Sequence, residues 1–248
     1  SLNRCRWVVE LYLGVFEDDA YEWFLPLTYT RPVYELKVGF FTLLERYERF
    51  LRPEKTFLFT RPYLTGILRK RYVGPRYVVN NPEKVDDDIL MVNGRVAYLK
   101  TLKPLLNGKV DALVTDRAVL AVVVRRNHER LLLALAKQEK AEKQLSIVKR
   151  SVERVAVANG EGVLFCYPWE LVNANPFYIK RDYEEVVGAK GGRLSEGVVV
   201  YGDPKMVYIS PTAEVEQTVI VDARRGPVYI GEHVRSFAPA RIEGPCFI

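Results

Sequence analysis

Histidine is close to absent. The two present, His128 and His233, lack the paired spacing that a histidine metal site needs. Cysteine is scarce as well, and Cys5, Cys166 and Cys246 are odd in number and far apart, which argues against both a disulfide framework and a thiolate metal cluster. A reducing cytoplasm fits that usage. No apolar run reaches the roughly 20 residues that span a bilayer, because charged residues interrupt every candidate, so a soluble chain without a membrane partner is expected. Residues 1–10 carry Arg4 and Arg6 but only a short apolar stretch and no small-residue cleavage site, the opposite of a secretory leader. Long runs of one charge are missing too. Basic residues come in short knots such as Arg69-Lys70-Arg71 and Arg224-Arg225, beside Tyr or Pro, and the net charge is a modest +6. Such knots read first as solvated surface, next as contacts for phosphate-bearing substrates, and last as a nucleic-acid footprint.

What is present is ample apolar material: 48% of 248 residues are hydrophobic, enough for one large domain or two unequal ones. The first half alternates β-rich runs with helical patterns, as βαβ units do. Trp7–Phe16, Thr56–Phe59, Tyr77–Val79 and Ile89–Val92 read as strands, and Val38–Phe50 as an amphipathic helix stopped by Pro53. Ala112–Val124 reads as a hairpin about Asp116-Arg117. A helix capped by Asn127 is expected to run through Leu131, Leu132 and Leu135 to about Val155, with Glu139 and Lys143 paired at i, i+4. Val163–Phe165 returns to strand, and Pro168–Tyr183 reads as a loop entering a helix. Lys190–Arg193 and Gly197 then form a Gly-rich connection.

Beyond that connection the helical period gives way to a period of six. Aliphatic residues stand at Ile209, Val215, Val221, Ile230, Ile242 and Ile248, with Ser236 in one of the places and small or β-branched residues at Ala213, Val219, Val234, Ala240 and Cys246. A hexapeptide repeat of this kind specifies a triangular β-helix whose aliphatic residues stack from coil to coil. About two coils are expected, with Ile248 at an open edge that calls for a continuing chain or a covering partner.

Four segments, in order, carry a family resemblance. Leu25–Gly39 reads Leu-Pro-Leu-Thr-Tyr-Thr-Arg-Pro-Val-Tyr-Glu-Leu-Lys-Val-Gly; Val92-Asn93-Gly94-Arg95, Tyr167-Pro168-Trp169-Glu170-Leu171-Val172-Asn173 and Gly226-Pro227-Val228-Tyr229-Ile230-Gly231 follow. Together they resemble a divergent branch of the sugar-1-phosphate nucleotidylyltransferases with the LPLTxTRP motif, similar to the bifunctional N-acetylglucosamine-1-phosphate uridylyltransferase/acetyltransferases. The resemblance implies an α/β, Rossmann-like nucleotidyltransferase domain over 1–200, with a mostly parallel sheet and helices on both faces. The first coils of a left-handed parallel β-helix would occupy 206–248. Implied partners are a nucleoside triphosphate with a sugar 1-phosphate, or a nucleotide sugar, and a second and third copy of the chain in a homotrimer.

The resemblance also places candidate residues. In the family a Gly-rich loop after the first strand cradles phosphates with backbone N–H groups; here Phe16–Glu22 has no glycine and four acidic residues. The Gly-Asp pair that supplies a carboxylate to Mg²⁺ falls at Gly94-Arg95. Arg31, Lys37 and Arg95 are therefore the candidate catalytic cations, Arg95 through bidentate bonds to phosphate. Thr28, Thr30, Asn93, Gly94 and Asn173 are candidate substrate contacts, and Asp18 and Asp19 are the nearest candidate ligands for Mg²⁺. Each has a plainer alternative. The cations serve equally as salt bridges, the threonines as turn residues, and Asn173 and Asp182 as helix-capping or solvated groups. Asp86-Asp87-Asp88 reads as a charged turn and Trp169 as a packing residue.

Three functions follow from these features. One is transfer of a nucleotidyl group to a sugar 1-phosphate with release of pyrophosphate. A second is a hexapeptide-repeat acyltransferase acting on an amino-sugar phosphate or nucleotide sugar, with the α/β domain as a binding module. A third is a non-catalytic oligomeric binding protein. A ligand crevice is expected at the carboxyl ends of the strands, where Leu25–Lys37 and Asn93–Arg95 meet.

Overall fold

Strand β1, Tyr12–Phe16, is buried along its whole length, as a strand covered on both faces must be. A computed structural model describes residues 11–137, 139–158, 163–188 and 193–248. Cys5, the Trp7–Glu10 part of the expected first strand and most of the Gly-rich connection at Lys190 lie outside the described residues. After β1 come the two-residue strands β2 (Lys37–Val38) and β3 (Phe41–Thr42), helix α1 (Leu43–Leu51), β4 (Lys55–Leu58), α2 (Thr65–Arg71), β5 (Tyr77–Val79) and β6 (Ile89–Asn93). Helix α3 (Lys103–Leu106), β7 (Ala112–Val114), β8 (Val119–Val124), α4 (Glu129–Ala136), α5 (Ala141–Ser151), β9 (Val155–Val157) and α6 (Pro168–Val186) follow.

Two compact units result. The described residues up to Leu36 form the first with Thr42–Pro168; Lys37–Phe41 and Trp169–Ile248 form the second. The division thus comes at Pro168 rather than at the glycine-rich connection.

In the first unit one seven-stranded sheet has the order β5-β4-β1-β6-β8-β7-β9. Pairs β4–β5, β1–β4, β1–β6 and β7–β9 are parallel, while β8 runs antiparallel to both β6 and β7. The Ala112–Val124 hairpin forms as expected, about a Thr115–Ala118 turn. Gly14 lets β1 and β6 approach, since a Cβ there would overlap the Met91 sulfur. Phe57, Phe59, Ile89, Met91, Val122 and Leu135 share one continuous buried cluster on the sheet. The Val38–Phe50 helix starts late, at Leu43, because Thr42 and Glu45 close a reciprocal capping box there.

The long helix expected from Asn127 is two helices instead. It breaks after Ala136, and Asp19 Oδ1 accepts the freed amide of Ala141 at 2.9 Å. The break lets Leu131, Leu132 and Leu135 of α4 and Leu145 and Val148 of α5 all reach one buried cluster. The expected strand at Val163–Phe165 is reduced to a single bridge, Val96 to Leu164.

The second unit is built from α6 and short strands: β10 (Val199–Tyr201), β11 (Val207–Ile209), β12 (Glu214–Val215), β13 (Ile220–Asp222), β14 (Val228–Ile230), β15 (Arg235–Ser236), β16 (Arg241–Glu243) and β17 (Cys246–Phe247). They pair only in parallel, as β10-β13-β16, β11-β14-β17 and β12-β15. Val199 faces Ile220, Val207 faces Val228 and Glu214 faces Arg235, so the chain returns to the same ladder after one circuit of three strands. Ile209, Val221 and Ile230 are buried together, with Val215 and Ile242 packed against them. On the outer side Tyr208, Tyr229 and Phe247 stack at 4.8 and 5.3 Å. Phe40 covers that stack, 4.9 Å from Tyr229 and 4.3 Å from Phe247. Helix α6 holds Lys37–Phe41 in place: Asn175 Oδ1 accepts from Gly39 N at 2.7 Å and buried Asp182 from Phe40 N at 2.8 Å. No helix among the described residues is long and apolar enough to cross a membrane.

The corner after β13 depends on one carboxylate. Asp222 accepts from Arg224 N, Nε and Nη2 and from Arg241. These bonds, those from the Arg224 side chain foremost, hold its carboxyl well below the usual aspartate range. A carboxyl lowered in the folded state contributes stability above its unfolded pKa and loses it as pH falls through the folded value. Asp222→Asn is expected to remove part of the acid dependence: the wild type should lose more of its urea midpoint than the variant below about pH 4. Parallel pH profiles of the two proteins would show Asp222 to be inert.

Candidate functional site

At the carboxyl end of β1 the chain places two consecutive acids, Glu17 and Asp18, both 1% exposed. Burying a carboxylate costs several kcal/mol unless it is paired and hydrogen-bonded. Each is met by its own guanidinium. Asp18 Oδ1 accepts from Arg95 Nε at 3.0 Å and Ala20 N at 3.2 Å; Oδ2 accepts from Arg95 Nη2 at 2.6 Å and Asn93 Nδ2 at 2.9 Å. Glu17 Oε1 accepts from Val33 N at 2.9 Å and Arg61 Nη2 at 3.5 Å, and Oε2 from Thr60 Oγ1 at 2.8 Å and Arg61 Nε at 3.3 Å. An ionised carboxylate offers about four lone-pair positions. Both carboxylates are therefore saturated.

The cations are engaged to the same degree. Arg61 also donates to the carbonyls of Thr28 at 2.7 Å and Arg31 at 2.8 Å and to Tyr63 Oη at 2.8 Å, which uses all five of its N–H groups. That grip fixes the Leu25–Arg31 turn. Arg95 donates through Nη1 to Phe165 O at 3.0 Å and is 3% exposed. Burial pulls Arg95 down, yet Asp18 beside it leaves the guanidinium above its ordinary value. Burial also pushes the Glu17 carboxyl up, against Arg61 and the Val33 amide.

The residues singled out from sequence fall into three groups. Asp18, Thr28, Asn93, Gly94 and Arg95 are all buried. Arg95 does not offer its guanidinium to a phosphate, because Asp18 and the Phe165 carbonyl already hold it. Thr28 gives its hydroxyl to Tyr21 O at 2.9 Å, and Asn93 bonds Asp18, Val119 O and the Arg95 amide. Gly94 is required by Tyr34, whose ring carbon would stand 3.0 Å from any Cβ. These residues are packed into the strand ends. Thr30 and Arg31 are exposed, at the lip of the turn that Arg61 holds. Lys37 and Asn173 belong to the second unit, where the Lys37 ammonium lies 4.4 Å from the Phe247 ring centre and Asn173 is exposed on α6.

The fit of Mg²⁺ to this chain is decided by its donors. Asp18 has no lone pair left, Asp19 is bonded to the start of α5, and among the described residues no group of three or more His, Cys, Asp or Glu could hold a metal ion. The Asp18 carboxylate, filled in this way, does not fit the metal.

Sequence reasoning missed Glu17, Thr60 and Arg61. Glu17 stood in the acidic stretch after Phe16, and the signal for Thr60 and Arg61 was a Thr-Arg-Pro step directly after an apolar strand. It also missed Trp23, half-exposed and stacked on Tyr167 at 5.7 Å, with the Arg95 guanidinium 5.9 Å from its ring.

A family model described as sugar nucleotidyl transferase matches residues 13–189. No curated protein matches. Among solved structures, 4-diphosphocytidyl-2C-methyl-D-erythritol synthase from Anaerococcus prevotii is 13% identical over 68% of this chain and 98% of its own, with a TM-score of 0.38. A protein described as a glucose-1-phosphate thymidylyltransferase from Bacillus anthracis, in complex with a sucrose, is 10% identical over 69% and 96%, with a TM-score of 0.42.

Removing one member of a buried ion pair leaves the other charged in a dry site, whereas removing both does not. Arg95→Met is expected to destabilise the first unit by about 3–5 kcal/mol, and Arg95→Met with Asp18→Leu by clearly less. Chemical denaturation of the two proteins measures this; equal losses would mean that Asp18 is not held by Arg95.

Proposed function

We propose that this chain, which belongs to the sugar nucleotidyl transferase family, keeps the ligand class of that family without metal-dependent transfer. It binds a nucleotide sugar or sugar phosphate and does not itself release pyrophosphate. The observation that carries this reading is the Asp18 carboxylate, whose lone pairs are filled by Arg95, Asn93 and Ala20. Nucleotidyl transfer must neutralise charge developing on phosphate, and a saturated carboxylate can neither hold a cation for that purpose nor free its guanidinium to serve instead.

A second reading is supported by the three parallel ladders of the second unit and by Ile209, Val221 and Ile230 buried between them. In it, these strands are the first coils of a left-handed β-helix of hexapeptide repeats. The repeat assembles as a homotrimer in a reducing cytoplasm and carries an acyltransferase site, which the first unit supplies with its amino-sugar phosphate or nucleotide sugar.

Incubation with nucleoside triphosphates, sugar 1-phosphates and Mg²⁺ is expected to yield no pyrophosphate above the protein-free rate, while calorimetry detects nucleotide-sugar binding without Mg²⁺. Brisk Mg²⁺-dependent pyrophosphate release would overturn the first reading. Binding that appears only with Mg²⁺ would do the same.

A further inference from the structure

The ends of β1 and β6 are sealed, but the neighbouring ends of β4 and β5 are not. Two clefts open there, and Arg69 lines both. The first, of about 430 Å³, has a floor of Phe59, Pro82 and Leu133, with Lys137 and Arg69 at its sides. The second, of about 440 Å³, runs along edge strand β5 beside Tyr72 and Tyr77, with Lys84 and again Arg69. Neither lining contains an aspartate or a glutamate. A third cleft, of about 390 Å³, shows the contrast: Arg125 and Arg126 there face Glu83, Asp86, Asp87 and Glu129.

Cations collected in a concave site without counter-charges raise the local potential for an anion. Among the described residues, Arg69, Lys84 and Lys137 have no carboxylate partner. Arg69 is nevertheless positioned, because its Nη2 donates to the carbonyl of Val79, the last residue of β5, at 3.3 Å. The rim between the clefts is fixed as well. Asn80 takes a left-handed conformation with φ 48°, which asparagine tolerates better than most residues. Its side chain accepts from Thr60 N at 2.8 Å and donates to Thr60 O at 2.9 Å and to Thr65 Oγ1 at 2.6 Å. Thr65 is left with its own hydroxyl hydrogen to donate, on the wall of the first cleft.

We infer that the clefts about Arg69 form the phosphate-binding site of this domain, taking the phosphate or pyrophosphate group of a small ligand at Arg69, which lines both clefts, with Lys137 adding charge in the first and Lys84 in the second. The assignment deepens the reading that the domain binds a sugar phosphate or nucleotide sugar, and it rests on that reading only for what the phosphate is attached to. A guanidinium edge left over from a backbone bond suits phosphate oxygens, and two lysines supply charge without fixed geometry. The apolar floor of the first cleft gives the remainder of the ligand a surface to cover.

Calorimetric titration of the whole chain with inorganic pyrophosphate and, separately, with UDP-glucose tests this. Arg69→Ala and Lys137→Gln are each expected to weaken pyrophosphate binding about tenfold to a hundredfold, the loss of one charged hydrogen bond. Both side chains are exposed, and an unchanged melting temperature would establish that the variants are folded. Arg126→Ala, which removes the same charge from the third cleft, is expected to bind as the wild type does. Wild-type affinity in Arg69→Ala and Lys137→Gln, an equal loss in Arg126→Ala, or no pyrophosphate binding by the wild type would each overturn the site. Pyrophosphate binding that depends on Arg69 without any binding of UDP-glucose would uphold the site and count against the nucleotide-sugar reading.

Discussion

Two carboxylates follow one another into the interior at the end of β1, and neither can be buried without a partner. Glu17 with Arg61 and Asp18 with Arg95 solve that constraint by closing four strand ends and loops into one hydrogen-bonded block. Arg61 comes from beyond β4, Arg95 from beyond β6, and the carbonyls they also hold belong to the turn after residue 24 and to the segment at Phe165. The same contacts that neutralise the charge therefore determine where the chain runs over the carboxyl edge of the sheet.

The electrostatic consequence is a division of labour along one sheet edge. Over β1 and β6 the two carboxylates and Arg61 spend their hydrogen bonds internally, and Arg95 is held by Asp18 and the Phe165 carbonyl at the strand ends that ligands commonly use in open α/β sheets. Over β4 and β5 Arg69, Lys84 and Lys137 stand without counter-charges and the polar rim is locked by Asn80. Membership of a transferase family thus coexists with a loop that has folded onto itself. The family is evident in the match over residues 13–189, whereas the chemistry depends on a few side chains at the strand ends.

The second unit follows a separate logic. Each short strand buries only one or two aliphatic residues, too few to be stable singly, and gains its stability from the strands beside it in its parallel ladder. Corners need charge and cover as well as spacing. Asp222 ties its corner through Arg224 and Arg241, and Phe40 with α6 covers the aromatic stack of Tyr208, Tyr229 and Phe247.

Periodic features were legible in the sequence because they recur at intervals that one type of backbone imposes. Period-two and wholly apolar runs marked β1, β4, β6 and the β7–β8 hairpin, and the six-residue spacing marked the inward positions at Ile209, Val221 and Ile230. The break between α4 and α5 was not legible, since it depends on Asp19, which meets the Ala141 amide only in the folded chain. The candidate site divides the same way. The substitution of arginine at residue 95 and the acidic loop after Phe16 could be seen in the sequence, but the linear order cannot show that these two departures neutralise each other. Only the tertiary structure brings residue 18 to residue 95 and residue 17 to residue 61. Burial then decides the pairing: a carboxylate removed from water takes the nearest guanidinium as its partner.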